Sequence, residues 1–142
     1  MIDPLPSRSP TRGEVRIEAV FFDTFGTVCD FYNPMRRAFE ALASARGLEC
    51  DPGRLAIDWR TAYVISTFTQ AVEESEFIPL RDINRKNLEG LLTRQFAVPL
   101  SESEKDELNS VWERLDPWPE PAPGLRRIRG HAIIAPLSNG NF

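Results

Sequence analysis

The chain has 142 residues, of which 42% are hydrophobic and 27% charged, a globular composition with enough apolar material for a single core of ordinary domain size. Seventeen Lys and Arg against 21 Asp and Glu give a net charge of −4, the wrong sign for a basic face that binds nucleic acid, so DNA and RNA are excluded as partners. Cys29 and Cys50, with one His and no C-x-x-C, cannot build a disulfide scaffold or a zinc site, and a reducing cytoplasmic compartment is the expectation.

Residues 1–14, rich in Pro, Ser and Arg, read as a disordered leader without the apolar block of a signal peptide. No run approaches the ~20 apolar residues that span a bilayer, so no membrane partner is expected. Val15 to Phe22 (V-R-I-E-A-V-F-F) alternates and then becomes continuously apolar, the pattern of a parallel strand whose deeper half is covered on both faces. It ends at Asp23, and Gly26 supplies a turn.

Four helical segments follow. Pro34 to Arg46 spaces Met35, Phe39, Leu42 and Ala43 on one face and has Gly47 where a terminating glycine belongs. Asp51-Pro52 offers an N-cap and a first-turn proline for a helix reaching about Gln70, with Leu55, Trp59, Ala62, Tyr63 and Ser66 on its stripe. Pro79 to Phe96 repeats the helical spacing in spite of Gly90, and Ser101 with Glu104 forms a capping box ahead of Leu108, Val111, Trp112 and Leu115. The prolines of Asp116 to Pro123 predict a stiff extended connection, then a short helix over Gly124 to Arg129. A second strand is expected over His131 to Leu137, although Pro136 removes one ladder donor.

Two strands with all the intervening mass helical do not make a sheet that buries both its faces. The layout therefore predicts the N-terminal part of a longer α/β protein: an incomplete parallel core from residues 15–33 and 122–142, with residues 34–121 as a helical cap and connections. Asp23 leaves the carboxyl end of the first strand, where open α/β sheets bind ligands. A carboxylate on such a turn can serve as a nucleophile or merely as a structural cap. Ser138, Asn139 and Gly140 leave the second strand, and bring a hydroxyl and an amide to the same edge if the strands are neighbours.

These motifs resemble the haloacid dehalogenase superfamily, specifically its 2-haloacid dehalogenases of type II. F-F-D-T-F-G-T is similar to the first family motif, P-L-S-N-G-N to the second, Trp59-Arg60 to the segment with the halide-facing arginine, and Leu115 to Leu125 to the return from cap to core. The resemblance implies an α/β Rossmann-like core with a helical cap, no cofactor and no metal. A small halocarboxylate is the substrate it implies, hydrolysed through an aspartyl ester with Asp23 as nucleophile. Backbone N–H groups of Thr24 and Phe25, with Ser138, would hold the substrate carboxylate. Arg60 and Asn139 would take the halide, and the Thr27 hydroxyl would position Asp23.

Phe25 stands where phosphatase relatives place a second Asp and where dehalogenase relatives usually place Tyr. A phosphatase-like hydrolase is the alternative, and an inactive interaction remnant a further one. The family's later lysine and acidic motifs have no counterpart in the sequence, so this chain alone is expected to be inactive. Self-association, as a homodimer through exposed apolar surface, is the expected macromolecular contact. Structural roles are expected for His131, Cys29, Trp112 and Trp118. Trp59 reads as a packing group or as a lining of the pocket, and Arg60 has an ion pair with Asp58 or another surface acid as its bland alternative.

Overall fold

The computed structural model describes residues 16–72, 77–97 and 99–139. The expected leader, Val15 at the head of the expected first strand, and Gly140 and Asn141 of the second motif lie outside the described residues, and residues 16–18, expected in that strand, precede the one observed. Two compact units divide the chain: Met1–Cys29 with Pro117–Ser138, and Asp30–Asp116 with Asn139–Phe142.

The first unit is a parallel pair of strands, β1 (Ala19–Phe22) and β4 (Ile133–Pro136), with helix α5 (Pro121–Arg129) between them in sequence. The register sets Ala19 against Ile133 and Phe22 against Pro136. Ile133 and Leu137 donate their N–H groups to the carbonyls of Glu18 and Phe22 at 2.9 and 2.8 Å. Pro136 is out of phase with these donors, so its missing N–H belongs to the opposite edge and the ladder to β1 loses nothing. Phe22, Ile134 and Leu125 of α5 line one apolar cavity, whereas Phe21, Ile133 and Leu137 are 59%, 60% and 70% exposed. A parallel sheet is apolar on both faces because both are normally covered.

The extended connection expected through Pro123 is shorter than that. Helix α5 begins at Pro121, with proline in its first turn, because first-turn N–H groups have no intrahelical partner and the fixed φ of proline suits the helix. Two minimal strands that the sequence pattern did not flag, β2 (Cys29–Asp30) and β3 (Asp116–Pro117), form a second two-stranded sheet.

The second unit packs α1 (Tyr32–Arg46), α2 (Pro52–Val72), α3 (Leu80–Gln95) and α4 (Glu102–Asn109), the last tightening into a 3₁₀ turn over Ser110–Glu113. Local chemistry sets the helix ends. The Asp30 carboxylate accepts from the N–H groups of Tyr32 and Asn33 at 2.8 and 3.1 Å, which starts α1 two residues ahead of Pro34. Gly47 closes α1 at φ +61°. Asp51 caps α2 through the Arg54 N–H at 3.0 Å. Ser101 and Glu104 complete the capping box of α4.

Leu55, Ala56, Trp59 and Tyr63 form the inner face of α2 and pack with Met35, Phe39, Leu88, Leu91, Leu108 and Trp112 in the core. Trp59 is fully buried, its edge against Phe39 and Trp112 with ring centres 5.7 Å apart in both pairs. Its indole N–H donates to the Asn84 carbonyl of α3 at 3.0 Å. This is a packing group. Among the described residues no helix is long and apolar enough to cross a membrane.

The Glu104 carboxyl is held below its ordinary range by hydrogen bonds from the Ser101 hydroxyl and N–H, with a further contribution from Arg46 2.8 Å away. Its stabilising effect is complete above the ordinary glutamate value of ~4.3 and is lost as pH falls through its own lower one. Glu104→Gln should therefore destabilise the chain at neutral pH, and the gap between variant and parent should shrink toward pH 3. Urea unfolding at both pH values reads this, and an equal gap at the two would contradict it.

Candidate active site

The strand β1 delivers Asp23 onto a loop that closes on itself within six residues. The Thr24 carbonyl accepts from the N–H groups of Thr27, Val28 and Cys29 at 3.3, 3.1 and 2.9 Å, and the Gly26 N–H returns to the Cys29 carbonyl at 2.8 Å. Gly26 has φ +93°, a conformation that a side chain resists. Trp118 braces the same loop, its backbone N–H on the Val28 carbonyl at 3.0 Å and its indole N–H on the Gly26 carbonyl at 3.4 Å.

This geometry turns the Asp23 carboxylate to two hydroxyls. Thr27 donates to Oδ2 at 2.9 Å from within the loop, and Ser138 donates to Oδ1 at 3.1 Å from the end of β4. The parallel register is what brings Ser138 there, since both strands end at the same level. Asp23 is exposed, so its carboxylate is accessible at the carboxyl edge of the sheet. Thr24 and Phe25 occupy the first two positions of the loop. Thr24 also lines an apolar cavity of about 200 Å³ with Phe22, Val28, Leu125 and Ile134.

Cys29, at the far end of the loop, has its thiol pushed up by burial. A raised thiol is a poor nucleophile at neutral pH, in keeping with a structural role.

Arg60 and Asn139 lie in the second unit. Arg60 follows Trp59 on α2, at the margin of its buried face. The ion pair with Asp58 does not form: Asp58 is taken by Arg54, one helical turn away at 2.9 Å. Instead the Arg60 guanidinium lies over the rings of Tyr63 and Phe31, with its carbon 4.6 and 5.3 Å from the ring centres. Among the described residues it has no carboxylate partner, and its Nη1 is buried without a hydrogen-bond partner. Asn139 donates from Nδ2 to the Tyr63 hydroxyl at 3.3 Å.

Sequence reasoning missed Tyr63 and Phe31 at this cation. The signal available for Tyr63 was its i, i+3 spacing from Arg60, which places an aromatic ring beside a cation on one helix face. Phe31, far away in sequence, gave none.

No protein-family model matches the sequence, and no curated protein matches it. Solved structures do. A defluorinating L-2-haloacid dehalogenase superposes with a TM-score of 0.83 at 39% identity, over 96% of this chain and 56% of that one. A second L-2-haloacid dehalogenase gives 0.75 at 30% identity, over 88% and 53%. The L-2-haloacid dehalogenase from Xanthobacter autotrophicus shares the fold, with a TM-score of 0.73 at 24% identity over 87% and 47%, and that enzyme is also known with chloropropionic acid covalently bound. The chain thus spans about half the length of the structures it matches.

Because φ +93° at position 26 admits a side chain only under strain, Gly26→Ala should destabilise the first unit by about 1–2 kcal/mol. Urea unfolding followed by the fluorescence of Trp118, whose indole is tied to Gly26, measures it. An unchanged midpoint would mean that the loop relaxes into another conformation.

Proposed function

From a chain that carries the L-2-haloacid dehalogenase fold of the haloacid dehalogenase superfamily, we propose that the whole protein removes halide from short 2-haloalkanoic acids by hydrolysis. The observation that carries this reading is the Asp23 carboxylate, exposed at the carboxyl end of β1 and oriented by Thr27 and Ser138, with an apolar Phe25 two residues on.

In the proposed reaction an Asp23 oxygen attacks C2 of the substrate. The carbon–oxygen bond forms as the carbon–halogen bond breaks, and the halide leaves with its electron pair. Water then adds to the carbonyl of the aspartyl ester, which releases a 2-hydroxy acid, a proton and the free carboxylate. Configuration at C2 inverts, because attack comes opposite the leaving group. The N–H groups of Thr24 and Phe25, with Ser138, hold the substrate carboxylate, Thr27 orients Asp23, and Arg60 and Asn139 receive the halide. No cofactor enters these steps, and the cytoplasm remains the proposed compartment. The domain assignment proposed with it keeps residues 15–33 and 122–142 as core and 34–121 as cap.

A phosphatase of the same superfamily would need an acid beside Asp23 to protonate a leaving alcohol, and Phe25 has no proton to give. Incubation of the full-length protein with 2-chloropropionate should release chloride and leave the peptide containing Asp23 heavier by the ester. Asp23→Asn should abolish both, because an amide is a far weaker nucleophile of the same shape, and the chain of 142 residues alone should release little or none. Undiminished release by Asp23→Asn removes Asp23 from the mechanism. Turnover of phosphate monoesters without halide release would select the phosphatase.

An interaction role is favoured by a separate feature. The outer face of α2 carries Ile57, Val64, Ile65 and Phe68, with Phe68 72% exposed, and no charged residue occurs from Thr61 to Val72. A helix apolar on both faces is a buried helix. We propose that a second copy covers it, with α2 antiparallel to its equivalent so that Ile57 of each meets Phe68 of the other. The stripe adjoins a groove lined by Thr61, Leu91 and Arg94, which extends the surface that the second copy would cover. Sedimentation of the full-length protein should show a dimer that Phe68→Glu converts to monomer. A monomeric parent would mean that another segment of the same polypeptide covers the stripe.

A further inference from the structure

Tyr63 is 5% exposed and stands one turn beyond Arg60 on α2. Its side chain makes contacts of different chemistry. Its ring face takes the Arg60 guanidinium at 4.6 Å, its ring packs at 4.9 Å and 37° on Trp112, and its hydroxyl accepts from Asn139 Nδ2 at 3.3 Å. Trp112 is in turn held edge-on by the fully buried Trp59. The ring under Arg60 therefore cannot swing without moving the core.

Arg60 has unusual needs. A half-buried guanidinium normally finds a carboxylate, and this one has two aromatic faces and a buried Nη1 with no hydrogen-bond partner among the described residues. Aromatic faces attract a cation without neutralising its charge or occupying its in-plane N–H donors. A guanidinium held this way keeps its charge and donors for an incoming anion, which a carboxylate partner would have consumed. The hydrogen bond from Asn139 likewise uses one of two amide N–H groups and fixes the direction of the second.

We propose that Tyr63 is the positioning residue of the halide site: a single buried side chain that holds Arg60 by its ring and Asn139 by its hydroxyl, and so sets both halide donors at once. The proposal rests on the reading of Arg60 and Asn139 given under the proposed function. Its two halves separate chemically, since Tyr63→Phe deletes only the hydroxyl and Tyr63→Leu deletes the ring as well.

The test uses the 142-residue chain with two readouts. Chloride titration followed by chlorine NMR line width reports halide binding without turnover, and ¹H–¹⁵N spectra report the Asn139 side-chain amide and the Arg60 Nε–H directly. The parent should bind chloride saturably. Tyr63→Phe should keep the thermal midpoint and the Arg60 signal, shift the Asn139 amide, and weaken chloride binding by roughly three- to tenfold, the scale of one lost hydrogen bond. Tyr63→Leu should shift both signals and weaken binding further. Should Tyr63→Leu fail to fold, the Tyr63→Phe arm decides alone.

The proposal is overturned if Tyr63→Phe binds chloride like the parent, or if the Asn139 amide stays in place. A purely structural residue would lower the midpoint and leave these signals where they are in the folded fraction. Absence of saturable chloride binding in the parent would instead remove the halide roles of Arg60 and Asn139, and this proposal with them, while leaving Asp23 untouched.

Discussion

The burial of Trp59 is the constraint on which the helical unit depends. Its ring reaches Phe39 of α1 on one side and Trp112 on the other, and its N–H satisfies itself on a backbone carbonyl of α3. One side chain on α2 thereby fixes three other segments. Edge-on aromatic pairs add ~0.5–1.5 kcal/mol each beyond the area they bury, and a buried indole without an acceptor would forfeit much of that. The residue that follows Trp59 on the helix inherits its precision. Arg60 is rotated by about 100° from a side chain that has no freedom, so its guanidinium starts from a fixed point at the margin of the core.

The first unit reaches comparable precision by another route. Its strands are short, and one face of the pair is largely exposed. Order at Asp23 comes from the backbone: three N–H groups converge on the Thr24 carbonyl, a glycine takes the left-handed turn, and the parallel register puts Ser138 level with the loop. The hydroxyls of Thr27 and Ser138 hold the carboxylate in direction.

Much of this was legible in the sequence where a local rule suffices. Ser101 with Glu104, Asp51 with Pro52, and Gly47 each announce a helix end through chemistry contained within a few residues, and all three behave accordingly. The pairing of β1 with β4 was legible too, because each apolar run ends in a polar turn after a long crossover. The start of α5 was not: a cluster of prolines suits both an extended strand and a helix N-terminus, and only the tertiary setting decides. The strands β2 and β3 are two residues each, too short for any periodicity. The surroundings of Arg60 were beyond reach for a further reason. Trp59-Arg60 points to a cation beside a core residue, but whether that cation meets Asp58 or a ring depends on Arg54 capturing Asp58 and on Trp112 seating Tyr63.

The chemistry around Asp23 also bears on the reaction proposed for it. An attacking carboxylate needs a leaving group that departs without help, or an acid to protonate it. A halide is the conjugate base of a strong acid and requires no proton, only stabilisation of the charge that develops on it. An alkoxide leaving from phosphorus is a strong base, and its departure is slow unless a proton arrives. At the position two beyond Asp23, Phe25 offers none, while elsewhere the chain keeps a guanidinium with aromatic faces and an unused buried donor. Anion stabilisation without proton donation is the combination that a departing halide calls for, and on this ground the apolar Phe25 supports the dehalogenation proposed above over the phosphatase alternative.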